Sequence, residues 1–477
     1  MTRGLPAPLL VSLYPAAALA PLVAAAAFGP EPLDPWAELA SGTGLAAGAM
    51  LLLQFVTSGR IETAAGRVGL DVTMGFHRLA ALALAVMAVV HPLAFAMADA
   101  ADPAEALARL ARMLAAPSLF SGMLALTALL ALLGLALGRA RIGLSYTSWR
   151  IGHGLLAVLA GGLLADHVLR HGGYLLSHPA VTATGAALAA LALGSVLEVW
   201  GLRAVRARRQ DWRVEAVRPL APRLWEVTLR QRRGRRFRFE AGQFAWIVFG
   251  RRHPVTDNPF SIASAPEEWP RLRLVIREAG DMTNHIGALA PGTQAALDGP
   301  HGALTLAGRK VDAVLLVAGG VGIAPIIGIL RSLAARRDPR PVRVLVATRS
   351  AAEQVFHEEI VGLGTRLDLR AEQLVAAPPC GDARGPDFGA PLSALLEGLD
   401  PRRTLALLCG PVAMMEAVAA GLEARGLPLG NIRYERFDYG APGDRQGRRM
   451  RRAFLLVLGA VVLGVLAFAL RAVGLSA

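Results

Sequence analysis

His77 and His91 close off a run of Ala, Leu, Val and Met, HRLAALALAVMAVVHP, that has the composition of a membrane span. An imidazole in hydrocarbon costs on the order of several kcal/mol unless its nitrogens are satisfied. On a helix the interval from 77 to 91 advances about 1400°, within ~40° of whole turns, and rises ~21 Å. The two rings therefore share one face, near opposite edges of a ~30 Å core. A second run, RIGHGLLAVLAGGLLADHVLRHGG, repeats the interval with His153 and His167. Two histidine levels on two spans predict axial ligands for two b-type haems, His77 with His153 and His91 with His167. Zinc would need a closer cluster of four ligands. The plain alternative, isolated histidines bonded to backbone or relaying protons, does not account for the identical spacing. His171, one turn past His167, would break the match and is expected at the outer surface; His178, before Pro179, is expected in a loop.

These pairs need spans to carry them. Apolar runs lie at about 9–28, 41–57, 72–97, 118–138, 150–169 and 179–200, each near the ~20 residues of a spanning helix. The first is Ala-rich like a signal peptide, but has no charged leader beyond Arg3 and is read as a span. Arg60, Arg67, Arg139, Arg141, Arg203, Arg206, Arg208 and Arg209 fall on one side, Glu31, Asp34, Glu38, Asp99, Asp102 and Glu105 on the other. By the positive-inside rule the first group is cytoplasmic. The third and fifth spans then run in the same direction, which sets His77 level with His153 and His91 level with His167. A multi-pass protein of a bacterial-type inner membrane is expected, with its soluble domains cytoplasmic. The formal charge of +14 is thereby explained without a nucleic acid, which the arginine placement argues against. Cys380 and Cys409 make no disulfide framework and lack the spacing of a zinc, iron–sulfur or c-haem site.

From about 210 the pattern changes to short strands with turn signals, RLWEVTLRQ, FRFEAGQFAWIVF, DNPFSIASAP, RLRLVIREAGDMTNHIG and GTQAALDGPHG, which predict a small antiparallel barrel. From Val311 strands alternate with helices, as in a doubly wound parallel sheet. The first strand of that sheet runs into VAGGVGIAPIIGIL, where Gly319, Gly320 and Gly322 let backbone amides approach a phosphate at a helix start. The next strand ends at VLVATRS, where Arg349 could hold an adenosine 2′-phosphate. LALLCGP sets Cys409, Gly410 and Pro411 at a strand end on the same rim. Read singly, these are equally a tight turn, a surface arginine and a small buried hydrophobe. The expected organisation is a six-helix transmembrane domain over 1–205, a small β-barrel over 210–306, a doubly wound α/β domain over 311–440 and an extra C-terminal transmembrane helix over 453–471.

NPFSIASAP, REAGDMT, DGPHG, AGGVGIAP and LLCGP, in this order after a bundle with paired histidines, resemble the ferric reductase and NADPH oxidase family. The resemblance runs from the second span to ERFDYG near 440. It implies a transmembrane flavocytochrome with a ferredoxin reductase-type C-terminal part, carrying FAD and two haem b and oxidising NADPH (or NADH). It also implies roles. Ser261 resembles the hydroxyl at the flavin N5 edge, with Pro259 and Phe260 shaping the pocket, and Asn258 stands beside them at the FAD site. Arg277 and the stretch Gly280, Asp281, Met282 and Thr283 resemble the FAD pyrophosphate site. Gly319, Gly320, Gly322 and Pro325 resemble the nucleotide turn, Cys409 the cysteine beside the nicotinamide C4, and Phe437 the terminal aromatic that covers the flavin.

The chain also departs from the pattern. Asn258 stands where many relatives have a histidine or arginine on the FAD phosphates, so phosphate binding leans on Arg277. Relatives that reduce oxygen usually place a histidine one turn beyond the outer ligand of the third span; here that residue is Phe95. Ferric iron or a ferric chelate at the outer face is therefore the expected acceptor, ahead of oxygen or a partner redox protein, and Arg170 and His171 are the polar residues nearest to it. AFLLVLGAVVLGVLAFAL, framed by RRMRR and Arg471, would cross the bilayer from inside to outside. It is read as a tether for the nicotinamide domain, or else as a packing or dimer helix; the number of chains per assembly stays open.

Overall fold

The computed structural model describes residues 5–32, 34–58, 61, 69–250, 256–280, 282–375, 387–435 and 445–474. The chain divides into two compact units: the N-terminal helices up to Val199 with the C-terminal helix, and the stretch from Trp200 to Arg448.

The first unit contains α1 (Ala7–Phe28), α2 (Pro35–Thr57), α3 (Leu70–Met97), α4 (Pro103–Ala115), α5 (Phe120–Ile142), α6 (Tyr146–His171) and α7 (Pro179–Val196). Among the described residues seven helices are long and apolar enough to cross a membrane, these six long ones and the C-terminal helix. Their starts follow local chemistry. Asp34 accepts from the Ala37 amide at 2.8 Å with Pro35 in the first turn, and Ser145 accepts from Ser148 at 3.1 Å. His178 is the N-cap of α7, its Nδ1 accepting from the Ala180 amide at 3.2 Å, and its ring stacks on Phe28. Small residues among the large ones of the core, Ala18, Ala25, Ala46, Ala47 and Ala160, let backbones approach where no hydrophobic effect drives helices together.

Counting apolar runs does not reveal α4. Its sequence, PAEALARLARMLA, is amphipathic, capped by Asp102 on the Glu105 amide with Glu105 returning to the Ala101 amide, and it leaves Leu107 and Leu114 exposed.

In the second unit α8 (Arg203–Arg209) precedes the strands, and its Arg203 pairs with Asp298 at 3.3 Å. Strands β1 (Asp211–Ala221), β2 (Leu224–Arg233), β3 (Phe244–Phe249), β4 (Asn258–Ser261), β5 (Arg271–Arg277) and β6 (Gln294–His301) form an antiparallel sheet in the order β4-β3-β6-β1-β2-β5. A bridge between Ile262 and Leu274 joins its two edges into a barrel, filled by Trp212, Leu229, Ile247, Leu272 and Ile276. A parallel sheet follows, ordered β11-β10-β7-β8-β9, from β7 (Ala313–Gly319), β8 (Val342–Thr348), β9 (Leu369–Val375), β10 (Thr404–Cys409) and β11 (Ile432–Tyr434). Helices α9 (Ile323–Arg336), α10 (His357–Leu363), α11 (Gly389–Leu396) and α12 (Val412–Ala424) cover its two faces. The chain order reverses between β7 and β10, so the ends of these strands border the switch-point crevice where such sheets bind nucleotides. The last helix, α13 (Arg445–Ala469), packs in the membrane unit. Leu19 fills the space at Gly464, and the Tyr14, Phe76 and Phe454 rings meet edge to face at 4.6 Å and 5.2 Å.

Candidate functional site

The histidines of α3 are held by α2, which runs antiparallel to it. The Nδ1 of His91 lies 2.7 Å from the Ala40 carbonyl. A carbonyl cannot donate, so the Nδ1 carries the proton and the Nε2 is left as a ligand atom. At the other end of α2 the Thr57 hydroxyl donates to Gln54 Oε1 at 2.9 Å, and so can accept from His77 Nδ1 at 3.3 Å; the Gln54 amide closes the ring by donating to the His77 carbonyl at 3.1 Å. Both α3 histidines thus take the same tautomer.

On α6, the Nδ1 atoms of His153 and His167 are buried without a hydrogen-bond partner. Trp149 stacks on His153 at 5.4 Å, and Gly122 of α5 makes room for His167, whose Nδ1 lies 2.6 Å from where a Cβ would stand. The rings of His91 and His167 have centroids 6.4 Å apart at 84°. Two imidazoles sharing one metal through N–metal bonds of about 2 Å place their centroids roughly 6 Å apart, so this separation fits a shared iron. Among the described residues no group of three or more His, Cys, Asp or Glu meets as a metal site. His171 is exposed and donates from Nε2 to the Ser118 carbonyl at 2.7 Å, and Arg170 is engaged by Asp166 at 2.9 Å.

In the second unit Gly319 and Gly322 pack into the Cys409–Pro411 turn, with Gly320 between them. A Cβ on Gly322 would lie 2.0 Å from the Cys409 carbonyl, and one on Gly319 would lie 2.8 Å from Pro411; Gly320 has φ +53°. Only glycine permits this approach. The turn opens α9, with Pro325 in its first helical turn. Cys409 is buried, and desolvation, with the Glu435 carboxylate adding, pushes its thiol well up from the ordinary value. It is a neutral thiol at physiological pH. Arg349 is exposed just past β8.

Residues 43–164 match the family described as ferric reductase like transmembrane component, residues 216–303 an FAD-binding domain, and residues 316–420 an oxidoreductase NAD-binding domain. With these three segments the chain matches a ferric reductase/NADPH oxidase-like family. Its C-terminal part is of ferredoxin reductase type, and the protein is an NAD(P)H-dependent transmembrane oxidoreductase with FAD- and NAD-binding domains. That part is similar to the reductase component of propane 2-monooxygenase from a Gordonia species, 28% identical over 239 residues, covering 47% of this chain and 66% of that protein. It is likewise similar to ferredoxin–NADP reductase B of Sorangium cellulosum, 27% identical over 245 residues, covering 49% of this chain and 100% of that one. Among solved structures, the Amycolatopsis cytochrome P450 reductase GcoB is 26% identical over 48% of this chain and 70% of that chain, with a TM-score of 0.42.

In this ferric reductase-like chain α9 also backs onto the barrel strand that carries Ser261. Gly328 admits the Ile262 carbonyl, which would lie 2.7 Å from a Cβ. Arg331, nearly buried, donates to the Ala263 carbonyl at 2.7 Å and is gripped by Glu359 at 2.6 Å. The residues expected at the flavin and those expected at the nicotinamide nucleotide are thus fixed by one helix. Ser261 is buried at the end of β4, following Pro259 and Phe260, and Asn258 Nδ2 donates to the Thr256 carbonyl. Arg277, at the end of β5, pairs with Glu353 at 3.1 Å and stands 4.0 Å from a Cβ built on Gly320, so it borders both loops. Thr283 Oγ1 accepts from the Ala279 and Gly280 amides, fixing the turn before Met282 and Thr283. Asp281, Phe437 and Cys380, and the loop residues Arg3, Arg60 and Arg67, lie outside the described residues. Sequence reasoning missed Gln54, Thr57, Ala40, Gly44 and Gly122, the immediate neighbours of the histidines. The one readable signal was polarity: Gln54 and Thr57 stand in an otherwise apolar run.

Proposed function

We propose that the chain carries electrons across a bacterial inner membrane, from NADPH on the cytoplasmic face to ferric iron or a ferric chelate on the outer face. The observation that carries this reading is the His91–His167 separation of 6.4 Å, with His91 locked by Ala40 so that its Nε2 is free. In this reading His77 and His153 would hold one haem b, and His91 and His167 the other. When bound, each haem supplies a one-electron carrier inside the insulating layer. The chain's own part is to fix each Nδ1 proton on α3, to open space at Gly44 and Gly122, and to surround the rings with apolar side chains that exclude water.

FAD would lie against Pro259, Phe260 and Ser261, its phosphates toward Arg277 and the Gly280–Thr283 turn, with Phe437 covering the ring. It supplies the change from a two-electron donor to single electrons. Ser261 offers a hydroxyl to the flavin N5 edge. Gly319, Gly320 and Gly322 present amides to the nucleotide phosphates, and Pro325, Cys409, Gly410 and Pro411 shape the nicotinamide side. Arg349 is exposed where a 2′-phosphate would arrive, which favours NADPH over NADH. One NADPH and two ferric ions give NADP⁺, a proton and two ferrous ions. Phe95, edge-on to His91 at 5.3 Å, occupies the place of the histidine usual in oxygen-reducing relatives, which favours a ferric acceptor.

Purified protein in detergent, assayed without oxygen, is expected to oxidise NADPH only when a ferric chelate is added. Superoxide dismutase-sensitive dye reduction in air, without ferric reduction, would overturn the acceptor. Reducible haem with neither activity would point to a protein acceptor.

A further inference from the structure

Glu38, in the first turn of α2, keeps a carboxylate inside the membrane unit with its side chain 3% exposed. Arg471, just beyond α13, donates from Nη2 to Glu38 Oε2 at 3.0 Å, and the Tyr174 hydroxyl donates to Oε1. Arg471 is itself held. Its Nε donates to the Phe468 carbonyl at 3.2 Å, and its guanidinium carbon lies 3.9 Å from the centre of the Phe468 ring, which meets Tyr174 edge to face at 5.5 Å. One turn along α2, Gly42 admits α13 itself: a Cβ there would stand 3.2 Å from Phe468 and 3.4 Å from Val465.

Residues 38 and 42 share one face of α2, and residues 40 and 44 lie about 200° around from them. That second face belongs to His91. Ala40 accepts its Nδ1 proton at 2.7 Å, and a Cβ on Gly44 would come within 2.7 Å of the same nitrogen. The first two turns of α2 are thus clasped by the C-terminal helix on one side and press on the imidazole on the other.

We propose that Arg471 is a positioning residue for His91: its clamp on Glu38 sets how closely the Ala40 carbonyl approaches the ring. A close Nδ1–H···O=C bond makes the imidazole a stronger donor to a metal, which favours the ferric form and holds the potential of that haem down. Without Arg471 the carboxylate is buried uncompensated, and the end of α2 is driven toward water. The inference rests on the reading that His91 and His167 share a haem.

The test is a spectroscopic redox titration of membrane-extracted full-length protein, with haem counted per chain, for wild type, Arg471→Met, Arg471→Lys and Tyr174→Phe. In Arg471→Met one of two one-electron components is expected to move to higher potential while the other stays. Arg471→Lys, which keeps the charge, is expected to remain near wild type, and Tyr174→Phe to move the same component less far. The double variant Glu38→Gln/Arg471→Met removes both charges and guards against misfolding of the single one; it is expected to retain two haems with the same component raised. Two haems with both components unmoved, or both displaced equally, would overturn the inference while leaving the di-haem reading intact. A wild-type chain without haem would overturn both.

Discussion

At the residue scale the two α3 histidines differ from ordinary buried imidazoles in having one nitrogen committed and the other left over. His91 donates to Ala40 and His77 to Thr57, and a buried ring nitrogen without a partner costs about 1–3 kcal/mol. A shared iron would satisfy the nitrogens left over. Gly44 makes the arrangement testable, because a methyl group there would stand 2.7 Å from His91 Nδ1. Gly44→Ala is expected to lose one of the two haems, counted by pyridine haemochrome, while FAD content is unchanged. Cys409 allows an independent check. Burial and Glu435 hold its thiol protonated, so at pH 8 peptide mapping should find it unmodified by iodoacetamide in the native protein and labelled once the protein is unfolded.

At the scale of elements, α9 joins the two halves of the reductase. Gly328→Ala would push a Cβ to 2.7 Å of the Ile262 carbonyl, and overpacking of this kind costs ~1–3 kcal/mol, so a lower melting temperature with partial FAD loss is expected. Arg331→Met removes the cation 3.6 Å from the buried Glu226 carboxylate, and a loss of roughly 3–5 kcal/mol is expected in urea unfolding of the reductase part. Much of this architecture was legible in the sequence. The histidine interval of the third and fifth spans reads directly as helix period, and the strand-turn-helix at VAGGVGIAP appears as β7, a tight turn and α9. What was not legible depends on contacts between distant elements. Ala40 meets His91 and Gln54 meets His77 only because α2 lies antiparallel to α3, and no local pattern states that pairing. The helix α4 escaped because its apolar residues recur with the helical period and are interleaved with arginines and alanines, so no continuous run betrays it. Arg277 was read as a phosphate ligand alone, whereas its bond to Glu353 places it at the seam between barrel and parallel sheet.

At the scale of the whole molecule the C-terminal helix sets this chain apart from the family pattern. In the fold α13 is part of the membrane unit, packed on α1 and α2 through Gly464 and Gly42. We propose, as the sequence suggested, that the same helix also tethers the nicotinamide domain. Deleting everything after Arg449 is expected to slow NADPH-driven haem reduction in stopped flow, and an unchanged rate would remove the tether idea. The most direct measurement concerns iron itself: a reduced-minus-oxidised spectrum of the purified protein, with haem counted per chain, set beside a variant with His77, His91, His153 and His167 all changed to alanine. Two b-type haems per chain are expected in the wild type and none in the variant, with FAD retained in both. A wild type colourless in the Soret region, or a variant that keeps its full haem, would contradict the assignment.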